Sequence, residues 1–327
     1  MNEVEHAARE RGGFVLRSDL LALGWSDQSI AAHLMAGVLT RIRVGTYALP
    51  HFLASLDREQ RHLLLARSVL AKFAPGSMAL SHHSAAIAHG MATWAVDLQV
   101  VHVMRLDPGS ARSESGVHHH RRLDGVEVVE TLSGLPAVRA DHAAFQVACG
   151  QDVRRALVVM DSALHLGLAE RAALQEATGR FRGWQGSRLA RLVVRRADPG
   201  AHTAAESLLR QVCFEAGLPI PVTQFPVADD RGEVFAWTDV GWPEHRHVGE
   251  VDGRRKYWRD LRPGEDASDV VVREKHREDR IRRRDFGVSR ATFSEVTPKH
   301  AGATGRRIAH ELEQSDRIYR RRRRHIA

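Results

Sequence analysis

Thr238-Asp239-Val240-Gly241-Trp242-Pro243-Glu244-His245-Arg246-His247-Val248-Gly249-Glu250-Val251-Asp252-Gly253 reads as two strands joined by a Trp-Pro-Glu turn, with an acid near the end of each. Two such acids on neighbouring strands, with a third carboxylate from a preceding helix, can converge on one hard cation, Mg²⁺ or Mn²⁺, and leave positions for water and phosphate. Asp239, Glu250 and Glu206 meet that description. Asp252 lies two residues beyond Glu250, so strand alternation puts it on the same face. Gly253 permits a tight turn, and Lys256 beyond it offers an ammonium for an attacking hydroxide or a pentavalent phosphorus. A cation held by Asp239 and Glu250 would stabilise phosphoryl charge and acidify an attacking water. Glu206, Asp239, Glu250, Asp252 and Lys256 are therefore the candidate catalytic residues, and Asp239 and Glu250 the candidate metal ligands.

Around this stretch, residues 201–297 pattern as a compact unit. Thr203 and Glu206 have capping-box spacing for a helix over 203–216, which Gly217-Leu218-Pro219 ends. Strands are predicted at 222–227, 234–240 and 247–251 as an antiparallel meander, then a basic helix near 271–285 and a strand at 288–293. Trp237, Trp242, Tyr257 and Trp258 flank the acids as candidate core or as stacking platforms for a distorted base step.

The N-terminal 50 residues read as helix, helix, turn, helix and hairpin. Ser18 and Ser26 are both placed to cap helices, Gly24-Trp25 makes the turn, and Gly37 closes the third helix. Leu39-Thr40-Arg41-Ile42-Arg43-Val44 alternates before Gly45, which gives a helix-turn-helix with a wing. Ile30 and Leu34 would face the core, leaving Gln28, Ser29, Ala32 and His33 outward to read DNA, with Arg41 and Arg43 approaching phosphates. The predicted division is a winged helix (1–50), a middle α/β and helical region (51–200), the acid-bearing unit (201–297) and a basic tail (298–327). Helices are expected near 58–73, 141–149, 152–166 and 169–180, with a strand near 98–103. The fold class is α/β in the broad sense, α+β in detail.

Charge is uneven: residues 273–327 hold 17 Lys/Arg against 8 Asp/Glu, and the rest of the chain 31 against 32. A basic end suits a polyanion partner, DNA above all, although the Arg320–Arg324 run also reads as a solvated tail. No run of eighteen apolar residues and no secretory pattern follows Met1, so a cytoplasmic protein without a membrane partner is expected. Cys149 and Cys213 are too few for a disulfide framework. The pair His82-His83 with His89, and the run His118-His119-His120, lack a Cys or acidic partner at ligand spacing, and adjacent strand residues point to opposite faces. They are not read as metal sites, and Ser81 is read as a helix cap.

The ordered motifs Ala205-Glu206-Ser207, Gly217-Leu218-Pro219, Asp239 to Glu244, Gly249 to Gly253, Lys256-Tyr257 and Glu274 to Arg280 resemble an actinobacterial endonuclease-like domain related to very-short-patch repair enzymes. The resemblance implies a PD-(D/E)xK fold, a mixed sheet flanked by helices, in which Asp239 and Glu250 bind the metal. Where the general pattern has lysine, this chain has Asp252, so the ammonium must come from Lys256, from Lys275 on the following helix, or from nowhere. Arg11-Gly12-Gly13, Leu20 to Gly24, Arg43 to Ala48 and Ser81 to Ala86 are similar to the winged-helix domain of abortive-infection type IV antitoxins. That resemblance implies operator binding and a neighbouring toxin-like protein as partner. Two functions follow: a Mg²⁺-dependent DNA endonuclease, or a non-catalytic regulator or antitoxin-like repressor that uses the nuclease fold as a scaffold. Paired half-sites or double-strand cutting would call for a homodimer.

Overall fold

The computed structural model describes residues 2–107, 112–114, 116–122, 124–252 and 267–324. The protein is of mixed α+β class, and its chain divides into two compact units, 1–150 with 172–187, and 151–171 with 188–327. The chain crosses between the units three times.

The first unit opens with α1 (Asn2–Glu10), β1 (Val15–Leu16), α2 (Arg17–Ala22), α3 (Asp27–Met35), β2 (Thr40–Arg43) and β3 (Thr46–Ala48). Its three strands are antiparallel in the order β1-β3-β2. Ser26 caps α3 by accepting the Ser29 N–H at 3.1 Å, and Gly24 and Gly37 take the positive φ that their turns require. Ser18 is not a cap: α2 starts one residue earlier, and Asp19 accepts the Leu16 N–H at 2.8 Å. Val4, Val15, Leu20, Ile30, Leu39 and Tyr47 form the core, with Leu34 packed against it.

The unit continues through α4 (Pro50–Ser55), α5 (Arg58–Leu70), β4 (Met78–Leu80), α6 (His82–Ala88), β5 (Val101–Arg105), β6 (Arg112–Glu114), β7 (Val117–His120), β8 (Val128–Glu130), β9 (Pro136–Val138) and α7 (Ala140–Gly150). These strands make one mixed sheet, β6-β7-β5-β4-β9-β8, in which β5/β7 and β4/β9 run parallel. Beyond α7 come α8 (Val153–His165), in the second unit, and α9 (Arg171–Arg180), almost wholly in the first.

The second unit adds α10 (Ser187–Arg196), α11 (Ala204–Glu215), β10 (Val222–Ala228), β11 (Val234–Trp242), a 3₁₀ turn (Pro243–His245), β12 (His247–Asp252), α12 (Ala267–Arg283), β13 (Gly287–Thr292) and α13 (Ala301–Arg324). Its sheet order is β10-β11-β12-β13. The first three strands are the expected meander, but β13 pairs parallel to β12, as a strand reached through a helical crossover can. One side of the sheet buries Val248, Ile281 and Phe286 with Val227 and Ala236.

The tail expected over 298–327 is largely helical. Ala301, Thr304, Ile308, Leu312 and Ser315 recur at helical spacing and are buried, so α13 has a packed face, while Arg306 and Arg317 are exposed. At Gly287 the backbone comes so close to this helix that a Cβ would lie 1.9 Å from Ser315 Oγ.

Candidate functional site

The antiparallel register Val240 to Gly249 brings Asp239 alongside Glu250, and Asp239 Oδ2 accepts the Val251 N–H at 2.7 Å. Parallel pairing then sets Arg290 beside Glu250 and Thr292 beside Asp252, which is half-buried. The acids near the strand ends are thus neighbours.

Glu250 is nevertheless engaged. Arg277, from α12, places Nη1 2.7 Å from Oε1 and donates through Nη2 to Oε2 at 2.9 Å, the fork geometry in which guanidinium matches carboxylate. Arg290 Nη2 approaches Oε2 at 3.4 Å. The same two arginines bind Glu274 and Glu278, at 2.8 and 3.2 Å, which makes a network over this part of the sheet. Burial works against the Arg277 cation, yet its hydrogen bonds to Glu250 and Glu274 prevail and hold its pKa above the ordinary guanidinium value. Lys275, a candidate for the missing ammonium, is exposed. Lys256, the other candidate, lies outside the described residues, as do Tyr257 and Trp258.

Glu206 serves its own helix. It is buried, accepts the His202 N–H at 2.9 Å, the Thr203 hydroxyl at 2.9 Å and the Gln224 amide at 3.2 Å, while Thr203 Oγ1 accepts the Glu206 N–H. Among the described residues, Glu206, Asp239, Glu250 and Asp252 do not bring three ligand atoms within 4.8 Å of one another. As arranged, with both oxygens of Glu250 on guanidinium, they do not fit a hard divalent ion. Sequence alone does not single out Arg277 or Arg290 as partners of Glu250. The run Glu274 to Arg280 was visible, but nothing local says which of its cations turns onto the sheet.

In the winged helix, Gln28 is exposed on α3, with Ala31, Ala32 and Met35 on the same open surface. Ser29 is half-buried. His33 is held back: its Nδ1–H donates to the Ser29 carbonyl at 2.8 Å, and its ring lies 4.2 Å from Trp25. Arg41 is exposed on β2, and no ion pair engages it among the described residues. Arg43 turns inward, where burial lowers its pKa and Glu114 opposes that shift. Two other arginines near the helix-turn-helix are neutralised, Arg11 by Asp19 at 2.6 Å and Arg17 by Asp27 at 2.5 Å.

Comparison with known proteins concurs with this anatomy at the N-terminus. Residues 2–50 match the family model described as "Transcriptional regulator, AbiEi antitoxin", a span that ends just after β3. Two Mycobacterium tuberculosis proteins, uncharacterized protein MT2308 (strain CDC 1551 / Oshkosh) and uncharacterized protein Rv2248 (strain ATCC 25618 / H37Rv), are each 29% identical to this chain over 226 residues, 69% of it and 78% of their own length. The crystal structure of the RV2827C protein from Mycobacterium tuberculosis aligns with 69% of this chain and 87% of its own, at 18% identity and a TM-score of 0.40. No helix among the described residues is long and apolar enough to cross a membrane.

Proposed function

We propose that this protein is a DNA-binding regulator that docks on duplex DNA through its N-terminal winged helix, in the manner of an antitoxin-type repressor with a neighbouring toxin-like partner. The observation that carries the reading is the α3 surface, on which Gln28 stands exposed beside small side chains, with Arg41 on the adjoining wing. A helix face of this kind enters the major groove, where Gln can make a bidentate contact with adenine. Because Arg11 and Arg17 are spent on Asp19 and Asp27, few phosphates are neutralised from this domain, and specificity rests on base edges. Two copies on a palindromic site would supply the missing affinity.

Selection from random duplexes, followed by binding titrations across salt, tests this. Gln28→Ala should relax sequence preference and cost about 1–3 kcal/mol. Arg41→Ala should weaken all sequences alike and reduce the salt slope by about one. Absence of any preferred sequence would overturn the reading.

A second reading, Mg²⁺- or Mn²⁺-dependent hydrolysis of DNA at Asp239 and Glu250, is supported by the adjacency of those two acids and requires Arg277 to leave Glu250. Plasmid nicking that is lost in both Asp239→Ala and Glu250→Ala would favour it. Nicking unchanged in both would remove it.

A further inference from the structure

The two histidine runs set aside on strand alternation meet in the first unit, joined by a histidine that belongs to neither. His102 on β5 pairs in register with His118, so His102, His118 and His120 share one face of the parallel pair β5/β7. His82, at the start of α6, reaches the same place. The ligand nitrogens of His82, His102 and His120 all lie within 4.8 Å of one another, and His102 Nδ1 is 2.9 Å from His120 Nε2.

Other histidines nearby have protein partners. His83 donates to the Val100 carbonyl at 3.1 Å, His89 to the Val138 carbonyl at 2.9 Å, and His119 lies 3.1 Å from a Glu114 oxygen. His118 is exposed, with its ring 4.9 Å from that of His102. The imidazoles of His82, His102 and His120 face one another, with a hydrogen bond between His102 and His120.

Their surroundings are those of held ligands. His82 has a φ of +50°, a left-handed backbone that a non-glycine residue adopts at a cost of about 1–2 kcal/mol. Its N–H is fixed by Gln146 Oε1 at 3.0 Å, and its Nδ1 is hydrogen bonded to the buried Ser81 Oγ at 3.1 Å. A contact of this second kind sets the tautomer of a metal-binding imidazole. His82 and His120 also line an open cleft of about 800 Å³ whose walls include Arg121, Gln146, Trp184 and Gln185.

We propose that His82, His102 and His120 form a three-histidine site for zinc, with a fourth coordination position facing the cleft for exchangeable water or a small anion. Zinc–nitrogen bonds of about 2.0–2.1 Å put tetrahedral nitrogens roughly 3.3 Å apart, so side-chain shifts of about 1 Å seat the ion. Three protein ligands with an open fourth position define a reactive rather than a purely structural zinc site.

The test uses the full chain without an affinity tag, stripped with chelator and titrated with zinc against a chromophoric competitor. One zinc per chain is expected. His102→Ala and His120→Ala should each weaken zinc by roughly 100-fold or more, beyond the 10- to 100-fold typical of outer-shell changes, and Ser81→Ala by about 10-fold. His51→Ala, at an exposed position in the same unit, should change nothing. If an alanine variant fails to fold, heteronuclear imidazole NMR of the parent chain decides: zinc should shift the ring nitrogens of His82, His102 and His120 and leave His51 in place. Zinc affinity that is unchanged in the folded alanine variants, or imidazole nitrogens that do not move, would overturn the site.

Discussion

The acidic row on the C-terminal sheet and the histidine group on the six-stranded sheet both gather metal-ligand side chains, and they differ in where the lone pairs go. At Glu250 both carboxylate oxygens meet guanidinium, from Arg277 at 2.7 and 2.9 Å and from Arg290 at 3.4 Å. Among the three histidines, no cation or carboxylate stands within ion-pair distance in the described residues, and two of the imidazoles lie 2.9 Å apart. The acidic row looks like a metal site in sequence and forms a charge network in space. The histidine group looks like scattered residues in sequence and forms a ligand set in space. A ligand type becomes a site only where no charged partner of the protein's own already holds it, and the neutral hydrogen bond between His102 and His120 is one that an entering cation can replace.

The largest effect expected from breaking this contrast is at Arg277. Arg277→Ala removes the fork from a Glu250 side chain that is only 8% exposed, and should cost about 3 kcal/mol in denaturant unfolding, with Arg290 retaining part of the contact. The same variant sharpens the comparison. If the acids can hold a cation once the guanidinium is gone, millimolar Mg²⁺ should raise its melting temperature and leave the parent unchanged. A loss near zero would show that the network is a solvated surface pair.

A smaller effect comes from acid. His62 in the first unit bridges the Leu98 carbonyl and Ser84 Oγ, and His247 in the second bridges Ser315 Oγ and Ser289 Oγ. Burial, the main cause at both, pushes each pKa down to about 4 from 6.5. The unfolded chain then binds more protons than the folded one between those values, so stability is full above about pH 6.5 and falls as pH drops toward 4. Each unit should lose about 2 kcal/mol by pH 5 from its own histidine. Melting curves of His62→Gln and His247→Gln against pH should flatten in that window; curves as steep as the parent's would assign the acid lability elsewhere.

The smallest effect is at Glu206. With the His202 and Thr203 donors on its carboxylate, Glu206→Ala should cost about 1 kcal/mol, the usual worth of a helix cap, and Glu206→Gln less because an acceptor remains. Equal loss in the two variants would mean that charge, not hydrogen bonding, is what the position needs.

Much of this molecule was legible locally. Ser26 and Thr203 cap the helices assigned to them, the helices of the middle region fall close to their predicted spans, and three of the four C-terminal strands pair as a meander. Capping and alternation depend on residues a few positions apart, so sequence alone fixes them. The match of residues 2–50 to a regulator family falls on a segment whose turns were legible, although only Ser26 of its two expected caps is one.

What only the tertiary structure decided depends on partners far apart in the chain. The parallel addition of β13, the packed face of α13, the capture of Glu250 by Arg277 and the inward turn of Arg43 all follow from which elements pack together. The meeting of His82, His102 and His120 is of the same kind. Strand alternation correctly separates His119 from its neighbours, but it takes the β5/β7 register and the start of α6 to aim three imidazoles at one point. Residue types and local periods are written in the sequence, whereas the direction and company of a side chain are set by register and packing.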